Sequence, residues 1–359
     1  MEESKRSQKY KNFYFVVVLV LSFFLIILFN YFVDPFDIFK TKTFKGVNNI
    51  KIYKLTNKRS AIWTDMKLNG KGKKVVFTGN CLLSYGAEEM EDVAFFNLTV
   101  AKVHEVLELF KVIPEVAPDV KKVYVGMFFD DFWETKNDEV QDVLKPYNKY
   151  YSVDDFVNYL FSYNTTKYSV DTLLKSIEQK GEDIVYVYPY RELVDVHYKD
   201  SYNKSSFDDL EKMVKIAKKN NIEIVFYYSP IHVSKKVSIY EKGLWDVNNE
   251  IKRKLAKIAP FYDYSISNNY NQDDLDENSK YFVDSLHPTK KLQEEIVKEL
   301  VSDDEKIGVL VTEKNVDEIL DKDTNHLKRY MKQHPATVQK ISNLKAEDKK
   351  VKIRQKNVI

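Results

Sequence analysis

The only cysteine of the chain stands where a strand is expected to end. The stretch KKVVFTGNCLLSYG, residues 73–86, runs a short apolar segment into Cys81, the single cysteine among 359 residues. Ligands bind beyond the carboxyl ends of parallel strands, and helix-terminal amides at such a place lower a thiol pKa and stabilise an oxyanion. The position therefore predicts a nucleophilic thiol, with Ser84 as a weaker alternative nucleophile and a buried structural cysteine as the non-catalytic alternative.

A nucleophile needs a base that is held by an orienting acid. The segment KYFVDSLHPTKKLQEEI, residues 280–296, places Asp284 and His287 three positions apart, before Pro288 and a predicted helix. An aspartate at this spacing reaches around a turn to one imidazole nitrogen and leaves the other nitrogen for the crevice. The pattern predicts an Asp-supported general base, and a plain surface turn is the alternative.

Three further residues have side chains suited to chemistry. His232, in SPIH after the fourth predicted strand, is expected to line the same crevice, with a hydrogen-bonded loop histidine as the alternative. Asp130 and Asp131 lack the spacing of a metal site and are expected to be helix caps or solvated acids. The sequence thus predicts no metal site and no cofactor.

Alternating strand and helix patterns indicate the scaffold that positions these residues. The predicted strands are apolar on both faces, as parallel strands covered by helices are, and helical patterns lie between them. The strands are VVFTG (75–79), VAFFNL (93–98), KVYVGMFF (122–129) and IEIVFYY (222–228), and the helices cover 100–113, 205–221 and 289–300. This order predicts an α/β fold, a three-layer α/β/α sandwich with a mainly parallel sheet.

A membrane anchor is predicted near the start of the chain. The segment NFYFVVVLVLSFFLIILFNYFV, residues 12–33, carries no charge, and about 20 apolar residues cross a bilayer core. The charges around it are unequal: basic residues at 5, 6, 9 and 11 precede it, and acidic residues at 34 and 37 follow it. The positive-inside rule therefore predicts a single-pass protein of the cytoplasmic membrane, with residues 1–11 cytoplasmic and the remainder extracytoplasmic. A buried core helix is the alternative.

The rest of the chain is divided by composition. Residues 34–72 are predicted as a polar connector, 73–312 as the α/β domain with a helical insertion or lid at 132–204, and 313–359 as a charged, partly disordered tail. The 56 basic and 54 acidic residues are interspersed and give a formal charge of +2. This balance excludes the basic face of a nucleic-acid-binding protein.

These motifs together resemble the SGNH (GDSL-type) hydrolases, and in particular their membrane-anchored bacterial branches that handle acyl groups on cell-surface polymers. The resemblance rests on a strand ending in Gly-x-nucleophile, an Asp-x-x-His-Pro turn before the last helix of the domain, and DP after the N-terminal anchor. It covers roughly residues 30–302. It implies the same sandwich fold with a catalytic site at the carboxyl edge of the sheet.

The resemblance also implies roles for individual residues. Gly79, Asn80 and Cys81 match the Gly-Asp-Ser block, which gives Cys81 the place of the nucleophilic serine. Asp284 and His287 match the last block as orienting acid and general base. Asn97 matches the asparagine that opens the second block, so Gly79, Asn80, Asn97 and His232 are expected to bind the oxyanion or the substrate. The chain departs from the family at the second-block glycine and the third-block asparagine, which have no counterpart.

Two functions follow from this resemblance. The first is an acyl esterase or O-acyltransferase that acts on a cell-surface polysaccharide or glycolipid through a Cys/His/Asp site. The second is a catalytically inactive SGNH-like module that binds an envelope glycan or a membrane-bound acyltransferase partner. The missing oxyanion positions favour the second, and the greater nucleophilicity of a thiol favours the first.

Overall fold

The chain folds into two compact units. A computed structural model of the protein describes residues 2–49, 59–83, 90–97, 102–133, 159–178, 184–187, 202–272, 275, 279–302, 307–343 and 351–354. One unit comprises Met1–Asn69 with Pro146–Glu182, and the other comprises Gly70–Lys145 with Asp183–Ile359. Part of the predicted insertion at 132–204 therefore belongs with the N-terminal helix, and most of that insertion lies outside the described residues.

The larger unit is built on a six-stranded sheet. The strands in chain order are β1 Val75–Gly79, β2 Val93–Asn97, β3 Lys122–Met127, β4 Ile184–Val187, β5 Glu223–Tyr228, β6 Phe261–Asp263, β7 Val309–Val311 and β8 Val351–Arg354. The order across the main sheet is β2-β1-β3-β5-β6-β7, and β4 pairs separately with β8. All neighbours in the main sheet are parallel except β6 and β7.

The described helices alternate with these strands. They are α1 Glu2–Val33, α2 Arg59–Asn69, α3 Val103–Val116, α4 Tyr163–Glu178, α5 Ser205–Lys219, α6 Val233–Glu241, α7 Trp245–Ile258, α8 Lys290–Ser302, α9 Val316–Gln333 and α10 Pro335–Asn343. Two short 3-10 turns, Cys81–Leu83 and Phe129–Phe132, follow β1 and β3.

Helices cover both faces of the sheet because both faces of its central strands are apolar. On one face Phe77 and Tyr124 pack in the same buried cluster as Ile296 of α8. On the other face Met127 of β3 and Met213 of α5 line one small apolar cavity. The predicted three-layer α/β/α sandwich is confirmed, and the four predicted strands match β1, β2, β3 and β5.

The smaller unit contains the long N-terminal helix. The stretch Gln8–Val33 of α1 contains an 18-residue window with a mean hydropathy of 2.8, and by length and composition it is long and apolar enough to cross a membrane. Helix α4 packs against α1. At the end of α1 the carboxylate of Asp34 accepts the backbone N–H groups of Ile38 and Phe39, at 2.9 and 3.1 Å. The predicted connector at 34–72 thus begins with a hydrogen-bonded turn, and it also contains α2.

The region predicted as a charged tail, 313–359, contains α9, α10 and β8. Helix α9 is held by a buried ion pair, because Lys236 Nζ lies 2.6 Å from Asp323 Oδ1 with both side chains 1% exposed. The ammonium also donates to Ser267 Oγ at 2.7 Å. Burial alone would raise the pKa of Asp323, but Lys236 and Lys252 hold that pKa below its ordinary value. Asp323 is therefore ionised, and α9 is an integral part of the folded unit.

Replacing Asp323 should test this integration. We expect Asp323→Ala to lower the free energy of unfolding by about 3–5 kcal/mol, because it leaves a buried lysine unpaired. The matched control on the same helix is Asp317→Ala, which removes an ion pair to Arg253 whose side chains are 42% and 74% exposed, and it should cost less than about 1 kcal/mol. Urea unfolding of both variants measures the difference, and equal losses would contradict the integral role of α9.

Candidate active site

The strand order reverses direction between β1 and β3. From β1 the chain continues to β2, its neighbour on one side, and β3 is the neighbour of β1 on the other side. Parallel sheets bind ligands at the carboxyl ends of the strands at such a switch point. Gly79 pairs in register with Asn97 of β2 and with Gly126 of β3. Three strand ends therefore lie level at this edge, and two of the predicted site residues, Gly79 and Asn97, are neighbours there.

Gly79 occupies a place that no other residue fits. Its φ of +121° lies outside the range that L side chains ordinarily adopt. A Cβ at this position would also collide with the backbone carbonyl of Gly126. The glycine lets β1 approach β3 closely before the chain turns into Cys81–Leu83.

The side chain of Asn80 fixes the turn that carries Cys81. It is buried, with 1% exposure. Its Nδ2 donates to Asp131 Oδ2 at 3.3 Å and to Ser229 Oγ at 3.1 Å, and its Oδ1 accepts the backbone N–H of Leu82 at 3.1 Å. The amide therefore joins the ends of β1, β3 and β5. Asn80 therefore positions the turn. Its side chain was expected to bind the oxyanion or the substrate, but its donor and acceptor atoms are bonded to other parts of the protein.

Asp131 caps the 3-10 turn Phe129–Phe132, one of the two roles that the sequence predicted for Asp130 and Asp131, and it is buried rather than solvated. Asp131 is 5% exposed and accepts the backbone N–H of Phe128 at 2.9 Å. Burial raises the pKa of Asp131 well above its ordinary value. Asp130 Oδ2 forms an ion pair with the buried Lys235 at 2.9 Å. Sequence reasoning missed these interior contacts and also Ser229; the one available signal was that all three residues directly follow predicted strands.

Cys81 itself is described only by its backbone. It begins the 3-10 turn after β1, and its side chain lies outside the described part of the structure. Leu83, at the end of the same turn, belongs to one buried apolar cluster with Phe282 and Leu292, which stand on either side of His287 in the chain. Helix α8 also contacts the turn. The segment that carries Cys81 and the segment that carries His287 therefore pack together at this edge of the sheet.

Asp284 and His287 form the pair that their spacing predicted. His287 Nδ1 lies 2.8 Å from Asp284 Oδ2. Asp284 Oδ1 also accepts the backbone N–H groups of Leu286 and His287, at 2.8 and 2.7 Å. The carboxylate is buried at 2% exposure, whereas the imidazole is 32% exposed. The acid is thus fixed by its own turn, and a neutral His287 that donates from Nδ1 presents Nε2 as a base.

A backbone hydrogen bond joins this turn to the end of β5, since His232 N–H donates to the carbonyl of Ser285 at 3.1 Å. The ring of His232 caps a helix. Its Nδ1 accepts the backbone N–H of Ser234 at 3.2 Å and so caps α6. His232 thus lies beside the Asp284–His287 turn, in the hydrogen-bonded role that the sequence analysis gave as the alternative.

The remaining predicted positions are also located. Asn97, at the end of β2, is 6% exposed. Ser84 lies outside the described residues. Within the described part of the chain, no group of three or more His, Cys, Asp or Glu side chains is arranged to hold a metal ion.

Comparisons with known proteins add little to this description. No protein-family model matches the chain, and no curated protein matches it. Similar solved structures include a candidate acylhydrolase from Bacteroides fragilis and a GDSL-like lipase from Bacteroides thetaiotaomicron. Each is 14% identical with a TM-score of 0.34, over 64% of this chain and 87% of the first structure, and 65% of this chain and 89% of the second. A likeness of this size carries no argument, and the fold rests on the strand order and register.

The Asn80–Asp131 contact can be tested by replacing the amide of Asn80 with a carboxylate. Asn80→Asp places a second carboxylate against Asp131 Oδ2 and should lower the free energy of unfolding by about 1–3 kcal/mol. The pKa of one carboxylate then rises in the folded state, so the folded state binds more protons than the unfolded state and the loss grows as pH increases from about 4 to 7. Adding Asp131→Asn restores one amide and one carboxylate and should recover most of the loss. A double variant no more stable than Asn80→Asp in urea unfolding at pH 7 would contradict this account.

Proposed function

We propose that the chain is a membrane-anchored, SGNH-like acyl esterase or O-acyltransferase that acts on a cell-surface polysaccharide or glycolipid. Cys81 is the nucleophile, His287 the general base and Asp284 the acid that orients His287. The observation that carries this proposal is the buried Asp284 carboxylate, held by two backbone N–H groups and 2.8 Å from Nδ1 of a partly exposed imidazole. The two backbone contacts are those of an ordinary Asx turn, and the contact with His287 Nδ1 is the additional feature that an orienting acid provides.

The proposed reaction proceeds through a thioester. Cys81 Sγ attacks the acyl carbonyl carbon while its proton passes to His287 Nε2, and the tetrahedral intermediate expels the alcohol, which takes that proton. A water molecule or an acceptor hydroxyl then gives its proton to His287 and attacks the thioester, and the thiol is regenerated. Asp284 stabilises the imidazolium that forms in each half of the reaction. A water molecule gives hydrolysis and a sugar hydroxyl gives transfer.

The location is proposed on separate grounds. Helix α1 has the length and apolarity of a membrane span, with basic residues before its apolar stretch and acidic residues after it. We propose that α1 crosses the cytoplasmic membrane once and leaves the larger unit on the extracytoplasmic side, where a cell-envelope glycan or glycolipid is within reach.

The alternative is a non-catalytic module that binds an envelope glycan or a membrane-bound acyltransferase. One observation favours it. Asn80 and His232, two of the residues expected to bind the oxyanion or the substrate, have side chains engaged with the protein. Fewer groups are then left to stabilise an oxyanion, and each such donor contributes about 10²- to 10³-fold to the rate.

Trapping the acyl-enzyme tests the proposal directly. The full chain in detergent micelles is mixed with p-nitrophenyl acetate, and mass spectrometry of peptides follows acetyl transfer to Cys81. His287→Ala and Asp284→Asn should slow acylation by about 10²- to 10⁴-fold, through loss of the base and of its correct tautomer. Cys81→Ala should carry no acetyl group at this position.

The matched control is His104→Ala, which removes an exposed histidine of α3 and should acylate at the wild-type rate. Circular dichroism of each variant separates a lost base from a lost fold. Equal acylation rates for His287→Ala and His104→Ala would refute the catalytic assignment. A folded wild-type protein without acylated Cys81 would support the binding module instead.

A further inference from the structure

Helix α4 exposes large apolar side chains, whereas a surface helix of a soluble protein turns its apolar side chains toward the core. Four large apolar side chains form one stripe along it: Tyr163, Val170, Leu174 and Ile177, with exposures of 83%, 42%, 57% and 54%. We call these residues the apolar stripe. At 100° per residue they fall within one narrow sector of the helix.

A second face of α4 is buried although it is made of hydroxyl residues. These residues are Thr165, Ser169, Thr172 and Ser176, each 4% exposed or less. Small hydroxyl side chains allow close backbone approach and are typical of contacts between helices in a bilayer. Ser169 Oγ donates to Asn30 Oδ1 of α1 at 2.8 Å.

Asn30 fixes the level of α4 along α1. Its Nδ2 donates to the carbonyl of Leu160 at 2.9 Å and to Thr166 Oγ1 at 3.0 Å. Nearer the middle of the apolar stretch, the ring of Phe161 packs edge-on to Phe23 with centroids 4.7 Å apart. Phe23 lies roughly 15 Å along the helix from Val33, which is about half the thickness of a bilayer core.

The exposed surface of α1 is apolar at this same level. Phe24, Leu25 and Phe32 are 55%, 63% and 55% exposed. The third face of α4 carries charges of both signs: Lys167, Lys175 and Glu178 are exposed, and Asp171 is partly buried. A helix with one apolar and one charged exposed face, beside the end of an apolar span, has the amphipathic pattern of an interfacial helix.

We propose that α4 lies at the membrane surface that the C-terminal end of α1 reaches, with the apolar stripe inserted among lipid chains and the charged face toward the headgroups. This inference rests on the proposed membrane span of α1. The occupant of the stripe is lipid rather than protein because Ser169, next to Val170 of the stripe, bonds Asn30 within the apolar stretch of α1, where α1 itself exposes apolar side chains. This placement of α4 gives the smaller unit a second contact with the membrane, in addition to the span of α1.

Depth-dependent fluorescence quenching tests the proposal. Single cysteines are introduced into the full-length Cys81→Ser protein at three positions: V17C on α1, L174C on the apolar stripe, and K175C as the matched control on the charged face. Each is labelled with nitrobenzoxadiazole in vesicles of phosphatidylethanolamine and phosphatidylglycerol. The V17C and L174C probes should be blue-shifted and quenched by spin-labelled lipid, whereas the K175C probe should be quenched by an aqueous quencher.

The other results each overturn the proposal in a distinguishable way. If V17C reports lipid while L174C and K175C are equally accessible to the aqueous quencher, α1 spans the membrane and α4 lies in water. If the L174C probe is shielded from both quenchers, protein covers the stripe, either a second copy or another segment of this chain. If V17C is not quenched by lipid, the membrane span itself is wrong, and the inference fails with it.

Discussion

The buried amide of Asn80 is the interaction on which the candidate site depends. The loops that leave β1, β3 and β5 are separate segments of the chain, and a side chain that bonds all three holds them in one geometry. Asn80 supplies it, through Asp131, Ser229 and the backbone of Leu82. An aspartate at this position would face the Asp131 carboxylate, which gives a physical reason for the asparagine.

A second set of contacts brings the histidine to the same edge. The turn of Asp284 and His287 is rigid because its carboxylate accepts its own backbone N–H groups. It is joined to the end of β5 through the backbone of His232, and apolar packing joins its flanks to Leu83. His287, the proposed general base, is thus held by the scaffold as well as by Asp284, which is what reproducible proton transfer requires.

The sequence predicted features that depend on residues close together in the chain and missed contacts between residues far apart in it. The strands were found because both of their faces are apolar, and the Asp284–His287 pair was found because three residues separate its members. Asn80 and Ser229 are 149 residues apart, so no spacing rule connects them. The sequence predicts a charged, partly disordered tail over 313–359 and gives no sign of the buried contact between Asp323 of α9 and Lys236, because these residues are 87 positions apart.

The reactivity of Cys81 toward iodoacetamide is the measurement that most directly tests the central claim, an activated Cys81–His287 pair. The chain has one cysteine, so the alkylation rate of the full chain in detergent, followed against pH, reports this thiol alone. The account predicts an apparent thiol pKa well below the ordinary value of about 8.5, which returns toward that value in His287→Ala. A slow reaction with an ordinary pKa that His287→Ala leaves unchanged would contradict it.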